Sequence, residues 1–344
     1  AGEKMEKSKK MIKNLLLFIL LIALTFYIIL KDQDVGNIFN IIKTVDLKFV
    51  LIAIIFMAVY LILESVNLGR TLKALGEKSN IFKNFKYALI GFFFSAITPA
   101  ASGGQPMQIY YMHKDKISVA NSTLALLVNL CSFQIITLTF AFISVFLNTS
   151  HLNSGLVCFF IIGVSLNMSA LALLLIGIFS KKLSAALIRF AEKILKKLKI
   201  KNLENKVEKL ESELTKYHGS AKYFKEHRIL MLKTLVTTFI QVLFYYSITY
   251  LIYCAFGLNG YNAFQLITLQ SVLYATVSGI PSPGAVGVTE GGFLSLFNGV
   301  FPNEIISSAM LLNRGVSFYL YVLLSGIFVS VISIKTKKET KKDV

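Results

Sequence analysis

The sequence predicts an all-α integral membrane protein with about six transmembrane helices and two oppositely oriented re-entrant helical hairpins, arranged as an inverted repeat. Three observations predict this fold. The hydrophobic fraction is 55% and the mean hydropathy is +0.66. Apolar runs of about 20 residues, the length that crosses a bilayer, recur along the 344-residue chain. Two other apolar stretches are interrupted near their middle by prolines and glycines.

The charge pattern predicts the topology. The formal net charge is +18, and the lysines and arginines lie in loops between apolar runs rather than among aromatic residues. This is the positive-inside pattern of a membrane protein, so we expect no nucleic-acid partner. Basic segments at 1–10 and 335–344 place both termini in the cytoplasm, and we expect a multi-pass protein of the cell (cytoplasmic) membrane.

The first half of the repeat, residues 11–147, has three predicted spans at about 11–30, 49–68 and 119–147. A re-entrant hairpin is predicted at about 87–112. Its first limb has about 11 residues, which rise about 16 Å and cover half a bilayer. Basic residues on both flanks indicate entry from the cytoplasm. The alternative is one full span with a proline kink.

The second half, residues 148–334, has predicted spans at about 156–179, 232–256 and 305–334. A cytoplasmic insert at about 181–228 reads as two helices, either solvated or lying on an anionic leaflet. A second hairpin is predicted at about 263–300. No lysine or arginine occurs between Lys233 and Arg314, so this hairpin is expected to enter from outside.

Each half therefore reads span, span, broken hairpin, span, in opposite orientation. A short echo supports the match, because ALLVN at 125–129 resembles AMLLN at 309–313. Inverted repeats with broken helices are typical of secondary transporters, whose sites lie near the midplane. Irregular backbone is tolerated in a membrane where it lines a cavity. Helix N-termini near Gln105 and Val288 would there form an anion site suited to a phosphate.

Three charged residues fall within predicted membrane segments: Glu64, Glu290 and Arg314. Such residues are expensive in hydrocarbon and face the protein interior. Two readings stay open for Arg314 and Glu290. Either Arg314 holds a lipid phosphate while Glu290 balances it or takes a proton, or the two form a structural ion pair. Glu64 either takes part in coupling or snorkels to a cation such as Arg70.

The remaining polar residues indicate no cofactor. The three cysteines are far apart and lie in apolar runs, the four histidines are scattered, and no Gly-rich nucleotide loop is present, so neither a metal nor another cofactor is expected. Gln105 and Gln108 follow the first break, where they contact a headgroup or cap freed backbone groups. The many aromatic residues are interpreted mostly as lipid-facing and interfacial.

The two broken segments carry a family resemblance. TPAASGGQP at 98–106, followed by QIYY at 108–111, and PSPGAVGVTEG at 281–291 resemble the lysylphosphatidylglycerol synthase transmembrane-region family, over about residues 10–335. The family includes the flippase half of multiple peptide resistance factor proteins. The resemblance implies movement of a lipid between leaflets. Only a basic tail follows Ile334, so we expect no synthase domain and no enzyme activity.

The predicted function is thus a lipid translocase, either a flippase or a scramblase, for a phospholipid or a related anionic or aminoacylated lipid. Rival readings are a small-solute transporter, a membrane-embedded lipid-modifying enzyme, and a scaffold. The expected partners are membrane lipids, with a homodimer and a separate lipid-synthesising enzyme left open. The candidate substrate-binding residues are Thr98, Pro99, Ser102, Gly103, Gly104, Gln105, Gln108, Asn129, Pro283, Gly284, Gly287, Thr289, Glu290, Asn313 and Arg314, with Glu290 and Glu64 as coupling candidates.

Overall fold

A computed structural model gives the fold over residues 35–147, 154–179 and 227–342, together with five isolated helical positions between 16 and 27. Over these residues the chain is all-helical and contains no β-strand. Five helices are long and apolar enough to cross a membrane: 47–74, 119–147, 157–176, 228–255 and 306–332. Apart from those five positions, the predicted first span lies outside the described residues, as does almost all of the cytoplasmic insert. The all-α membrane fold is confirmed, whereas the re-entrant paths and the number of spans stay predictions.

The first half contains five described helices: α1 (Val35–Lys43), α2 (Leu47–Ala74), α3 (Ile81–Ala96), α4 (Gly104–Lys114) and α5 (Val119–Leu147). The described helices of the second half are α6 (Ser154–Phe179), α7 (Arg228–Ala255), α8 (Ala263–Val277), α9 (Val288–Leu296), α10 (Ile306–Arg314) and α11 (Leu320–Lys342). A π-helical turn, Gly315–Tyr319, joins α10 to α11. The short helix α1 was not predicted, because it is too short to give a span-length apolar signal.

Two helix boundaries differ from the sequence prediction for identifiable reasons. Helix α2 continues to Ala74 rather than ending near residue 68, because Arg70 is held against α7, where its Nη1 donates to the Lys233 carbonyl at 2.7 Å. Helix α3 starts before residue 87, because the Asn80 side chain accepts from the Lys83 amide at 2.9 Å and caps the helix. The first limb is therefore longer than half a bilayer.

The two hairpins begin in the same way. Asn80 caps α3, and Asn262 caps α8 by accepting from the Gln265 amide at 3.0 Å. A phenylalanine follows each cap by two residues, and both Phe82 and Phe264 are exposed. The chain thus repeats one local design at two helix starts that the proposed symmetry would place on opposite sides.

The contacts between helices also relate equivalent elements of the two predicted halves. Helices α2 and α7, which are equivalent in the predicted repeat, pack along each other. The first limb of each hairpin packs against the last helix of the other half, α3 on α11 and α8 on α5. The apolar core between them includes the fully buried Met57, Leu61, Phe293 and Phe297. This packing brings the two breaks together at the centre of the bundle.

Candidate functional site

The two helix breaks share one backbone conformation and contact each other. Short 3₁₀ turns form at Pro99–Ala101 and Pro283–Ala285, each preceded by an extended residue. In both turns two consecutive residues have positive φ, beginning with Ala100 at 52° and Gly284 at 60°. In the second turn glycine is required at position 284, because a Cβ there would collide with the Phe318 ring. The breaks are therefore built features with a common geometry.

The first break is held by its own threonine. The Thr98 hydroxyl donates to the Phe94 carbonyl at 2.6 Å and accepts from the Gly103 amide at 2.9 Å. Helix α4 then starts at Gly104, which lies closely against Ser95. No side chain caps this N-terminus. Among the described residues, no carboxylate therefore caps the positive end of α4.

The second break is held by a buried carboxylate. Glu290 is fully buried, and its Oε2 accepts from the Gly287 amide at 2.7 Å, which caps α9 with a side chain from its own first turn. Its Oε1 accepts from Arg314 Nε at 2.8 Å and from the Tyr319 hydroxyl at 2.7 Å. The N-terminus near Val288, which the sequence suggested as half of an anion site, therefore already has an anion of its own.

The π-helical turn explains how Arg314 and Tyr319 reach the same oxygen. Residues five apart lie about 140° apart around an α-helix, which would point the two side chains in different directions. The turn is closed by an i→i+5 bond from the Leu320 amide to the Gly315 carbonyl. This wider turn brings positions five apart onto one face. π-Bulges frequently mark functional sites, and nothing in the sequence pattern indicates this one.

Arg314 joins three parts of the second half. Besides its ion pair with Glu290, its Nη2 donates to the Gly284 carbonyl at 3.1 Å, and its guanidinium carbon lies 4.2 Å from the centre of the Phe318 ring. Breaking a buried pair on one side strongly destabilises a protein, because the remaining charge is left uncompensated. The structural ion pair is thus formed, and Arg314 also faces a cavity.

That cavity, the tyrosine cavity, has a volume of about 250 Å³ and lies where the two breaks meet. Its wall contains residues from both turns, Ala100, Ala101, Ser282, Gly284 and Ala285, together with Tyr60, Tyr245, Tyr274 and Arg314. The ring centres of Tyr60 and Tyr245 are 5.2 Å apart, and those of Tyr245 and Tyr274 are 6.2 Å apart. The cavity therefore offers aromatic walls and one guanidinium.

A second cavity, the amide cavity, has a volume of about 330 Å³. It shares Tyr60, Phe92, Ser95, Tyr274 and Ser278 with the tyrosine cavity, so the two form neighbouring compartments. Its polar wall includes Glu64, Asn67, Gln105, Gln108, Asn129, Gln134, Asn167 and Gln241. Amide side chains provide both donors and acceptors, so this compartment fits a polar group rather than a hydrocarbon chain.

Glu64 lies in the wall of the amide cavity. Gln108 lines the same cavity, and its Nε2 donates to the Tyr87 carbonyl at 3.1 Å. Arg70 instead donates to neutral oxygens of Asn67, Lys233 and Thr237. Within the described ranges, no basic side chain pairs with Glu64. The reading of Glu64 as a carboxylate that snorkels to Arg70 is therefore not what the structure shows.

The two asparagines of the sequence echo have different environments. Asn129 follows Pro99 by the same number of residues as Asn313 follows Pro283. Asn129 lines the amide cavity, and its buried Oδ1 has no hydrogen-bond partner among the described residues. Asn313 is buried behind the cavities, with its Oδ1 3.2 Å from the Thr249 hydroxyl, which also lies 2.9 Å from Gln270 Oε1.

The predicted site residues thus separate into two groups. Those in cavity walls are Gln105, Gln108, Asn129, Gly284, Thr289, Arg314 and Glu64. Residues that shape the breaks or lie behind the walls are Thr98, Pro99, Ser102, Gly103, Gly104, Pro283, Gly287, Glu290 and Asn313. The part of the chain that the structure describes contains no cluster of three histidine, cysteine or acidic residues able to hold a metal.

Sequence reasoning missed the aromatic wall. Tyr60, Tyr245 and Tyr274 lie in apolar helices of a chain with 15 tyrosines and 28 phenylalanines, so composition does not distinguish a cavity tyrosine from a lipid-facing one. The distinction depends on how each helix is rotated about its axis. Neither the hydrophobic pattern nor the residue spacing carries that information, because these helices are apolar on all sides.

The fold and site define a multi-pass helical membrane protein with two broken helices around a polar interior. The chain belongs to the family described as the lysylphosphatidylglycerol synthase TM region, which it matches over residues 12–325. It is 25% identical over 329 residues to the UPF0104 membrane protein PH1989 of Pyrococcus horikoshii, covering 92% of this chain and 96% of the relative. A UPF0104 membrane protein of Archaeoglobus fulgidus is 20% identical over 334 residues, with 90% and 94% covered.

Family membership confirms the resemblance drawn from the two broken segments. It indicates a membrane protein related to lipids, and the two relatives are named as membrane proteins.

Proposed function

We propose that this protein is a lipid translocase, a flippase or scramblase that passes the headgroup of a phospholipid or a related anionic or aminoacylated lipid between leaflets of the cytoplasmic membrane. One observation carries the proposal. Two compartments adjoin at the meeting point of two helix breaks, one with aromatic walls and a guanidinium and the other lined by amide side chains, inside a bundle whose exposed helix faces are rich in large apolar side chains. Polar groups and irregular backbone at such a place are typical of a pathway for a polar molecule.

The charges in the two compartments suit a headgroup. Arg314 in the tyrosine cavity offers a guanidinium to a phosphate, and the N-terminus of α4 is free of a carboxylate cap. Glu64 in the amide cavity is the better candidate for proton coupling than Glu290. Both oxygens of Glu290 already accept hydrogen bonds from the protein, whereas Glu64 lies in a cavity wall and has no basic partner among the described residues. We expect the protein to have no enzyme activity.

The test is headgroup translocation by purified protein in liposomes that contain fluorescent lipids with different headgroups. Dithionite bleaches only the outer leaflet unless lipids cross, so an active protein makes nearly the whole pool accessible. Asn129→Leu should slow crossing by about tenfold, the rate equivalent of one hydrogen bond of about 1.4 kcal/mol. Glu64→Gln should abolish any dependence on a pH gradient.

Leu323→Ala is the matched control, because Leu323 is an exposed apolar residue on α11 outside both cavities. It should transport at the rate of the unmodified protein. Bleaching that never exceeds that of empty liposomes, for any headgroup, would argue against translocation. Uptake of a water-soluble solute by the same vesicles would then favour the small-solute transporter, and chemical change of a lipid would favour the lipid-modifying enzyme.

A further inference from the structure

A basic concavity that shares no lining residue with either cavity lies where α7 begins beside α2. Its volume is about 620 Å³, and it is lined by Arg70, His227, Arg228, Ile229, Leu230 and Lys233. We call it the rim site. The topology predicted from the charge pattern places it on the cytoplasmic side of the membrane.

Arg70 is fixed in the rim site without being neutralised. Its Nη1 donates to Asn67 Oδ1 at 3.0 Å and to the Lys233 carbonyl at 2.7 Å, and its Nη2 donates to Thr237 Oγ1 at 3.0 Å. All three acceptors are uncharged. The guanidinium is therefore held in one position by neutral groups, and its full positive charge stays available to an anion.

Within the described part of the chain, no carboxylate forms an ion pair with Arg70, Arg228 or Lys233. The Lys86–Asp115 and Arg314–Glu290 pairs lie elsewhere in the molecule. Arg70, Arg228 and Lys233 thus bring three positive charges to one concavity, and none of the residues that line it is acidic. Concave clusters of one sign of charge focus the field and concentrate counter-ions of the opposite sign.

The apolar surroundings identify the kind of anion. Ile229 and Leu232 lie between and beside the basic residues of α7, and they are 72% and 61% exposed. A ligand with an anionic head and hydrocarbon chains satisfies the concavity and these side chains together, as at a membrane interface. A free phosphate ion satisfies only the first.

We propose that the rim site binds the headgroup of an anionic phospholipid, whose acyl chains lie against Ile229 and Leu232. The site adjoins the amide cavity through Asn67, which accepts from Arg70 and donates to Thr238 Oγ1 at 2.9 Å, while Asn67 and Thr238 both line that cavity. Binding at the rim does not depend on the proposed translocase activity, since it is defined by equilibrium contact with a lipid.

The test uses the absence of tryptophan from the sequence. Ile229→Trp places a single fluorophore at the rim site in the full-length protein. Reconstitution into vesicles of phosphatidylcholine mixed with brominated phosphatidylglycerol, or into the reverse mixture, measures which lipid contacts that position by quenching. We expect preferential quenching by the anionic lipid. Adding Arg228→Ala or Lys233→Ala to Ile229→Trp should lower the preference by about fivefold each.

Two controls isolate the site. Lys73→Ala removes a cation from the same helix as Arg70 but outside the concavity, so it should leave the preference unchanged. Leu323→Trp, at a position 62% exposed on α11, should show little preference for either lipid. Raising the salt concentration should weaken the preference at Trp-substituted position 229, because exposed charges are screened.

Three outcomes would overturn the proposal. They are equal quenching by the two lipids at position 229, an anionic preference that survives both alanine substitutions, and displacement of the lipid by inorganic phosphate alone. The last would show an anion site that does not select lipid. Failure of headgroup translocation would leave all of these fluorescence results unaffected, so the two proposals are tested separately.

Discussion

The two hairpins carry their ion pairs at different places. In the second hairpin Glu290 lies near the break and pairs with Arg314 of the following helix α10, beside the Pro283–Ala285 turn. In the first hairpin the pair lies at the far ends of the limbs, where Asp115 accepts from Lys86 and from the Tyr87 hydroxyl. The ion pair of the second hairpin therefore lies near its break, whereas the ion pair of the first hairpin lies away from its break.

This difference suggests different roles for the two helix breaks. The second break has its polar groups satisfied by the protein, so it behaves as a rigid wall. The first break leaves the α4 N-terminus without a side-chain cap, and an unpaired Asn129 oxygen lies in the wall of the neighbouring amide cavity. We therefore expect substitutions around the second break to act mainly on stability, and those around the first to act mainly on transport.

The largest expected effect follows from removing one member of the buried pair. Arg314→Ala leaves Glu290 buried without its counter-ion, which should destabilise the protein by about 3–5 kcal/mol. Thermal unfolding of the purified protein in detergent measures this loss. The double variant Arg314→Ala with Glu290→Ala should recover part of the stability, because no lone charge remains. A double variant no more stable than Arg314→Ala would contradict the locking role.

The next effect compares equivalent positions in the two turns. Gly284→Ala places a methyl group against the Phe318 ring at a φ of 60°, and should lower stability by about 2 kcal/mol or more. Ala100→Gly at the matching position of the first turn relieves a positive φ but adds unfolded-state entropy. It should change stability by less than about 1 kcal/mol. Similar melting temperatures for the two variants would contradict the greater rigidity of the second break.

A third comparison uses the two asparagines. Asn313→Leu removes the partner of a buried hydroxyl network and should destabilise the protein by about 1–2 kcal/mol. Asn129→Leu removes an oxygen that has no partner, so stability should hold while headgroup translocation falls. Melting temperature and liposome transport are measured on both variants. Loss of stability in Asn129→Leu without loss of transport would reverse the roles assigned to the two halves.

Much of this architecture could be predicted from the sequence, because it depends on chain-local signals. Prolines and glycines at 98–106 and 280–287 predict the breaks, and apolar runs predict the spans. An ion pair between Glu290 and Arg314 was one of the two alternatives that the sequence offered, because a buried charge needs a partner. Three features could not be predicted from the sequence: the position of Tyr60 in a cavity wall, the π turn at 315–319, and the rim site. They depend on helix rotation, on a local change in helix pitch and on contacts between α2 and α7.

The smallest expected effect concerns the pair at the mouth of the first hairpin. Partial burial raises the pKa of Asp115, but hydrogen bonds from Lys86 and Tyr87 outweigh it and hold the pKa below its ordinary value. A pKa that is lower in the folded state stabilises the protein above the unfolded value of about 3.9, and this stabilisation is lost as the pH falls through the folded pKa.

Asp115→Asn should therefore lower stability by less than about 1 kcal/mol at neutral pH, because the pair is partly exposed and screened. Melting temperatures of the variant and the unmodified protein, compared from neutral pH down to pH values below about 3.9, should converge in acid. A difference that stays constant across this range would show that the Asp115 carboxylate does not fasten the first hairpin. Its two limbs would then be held by packing alone, and the comparison between the hairpins would depend on the Glu290–Arg314 pair.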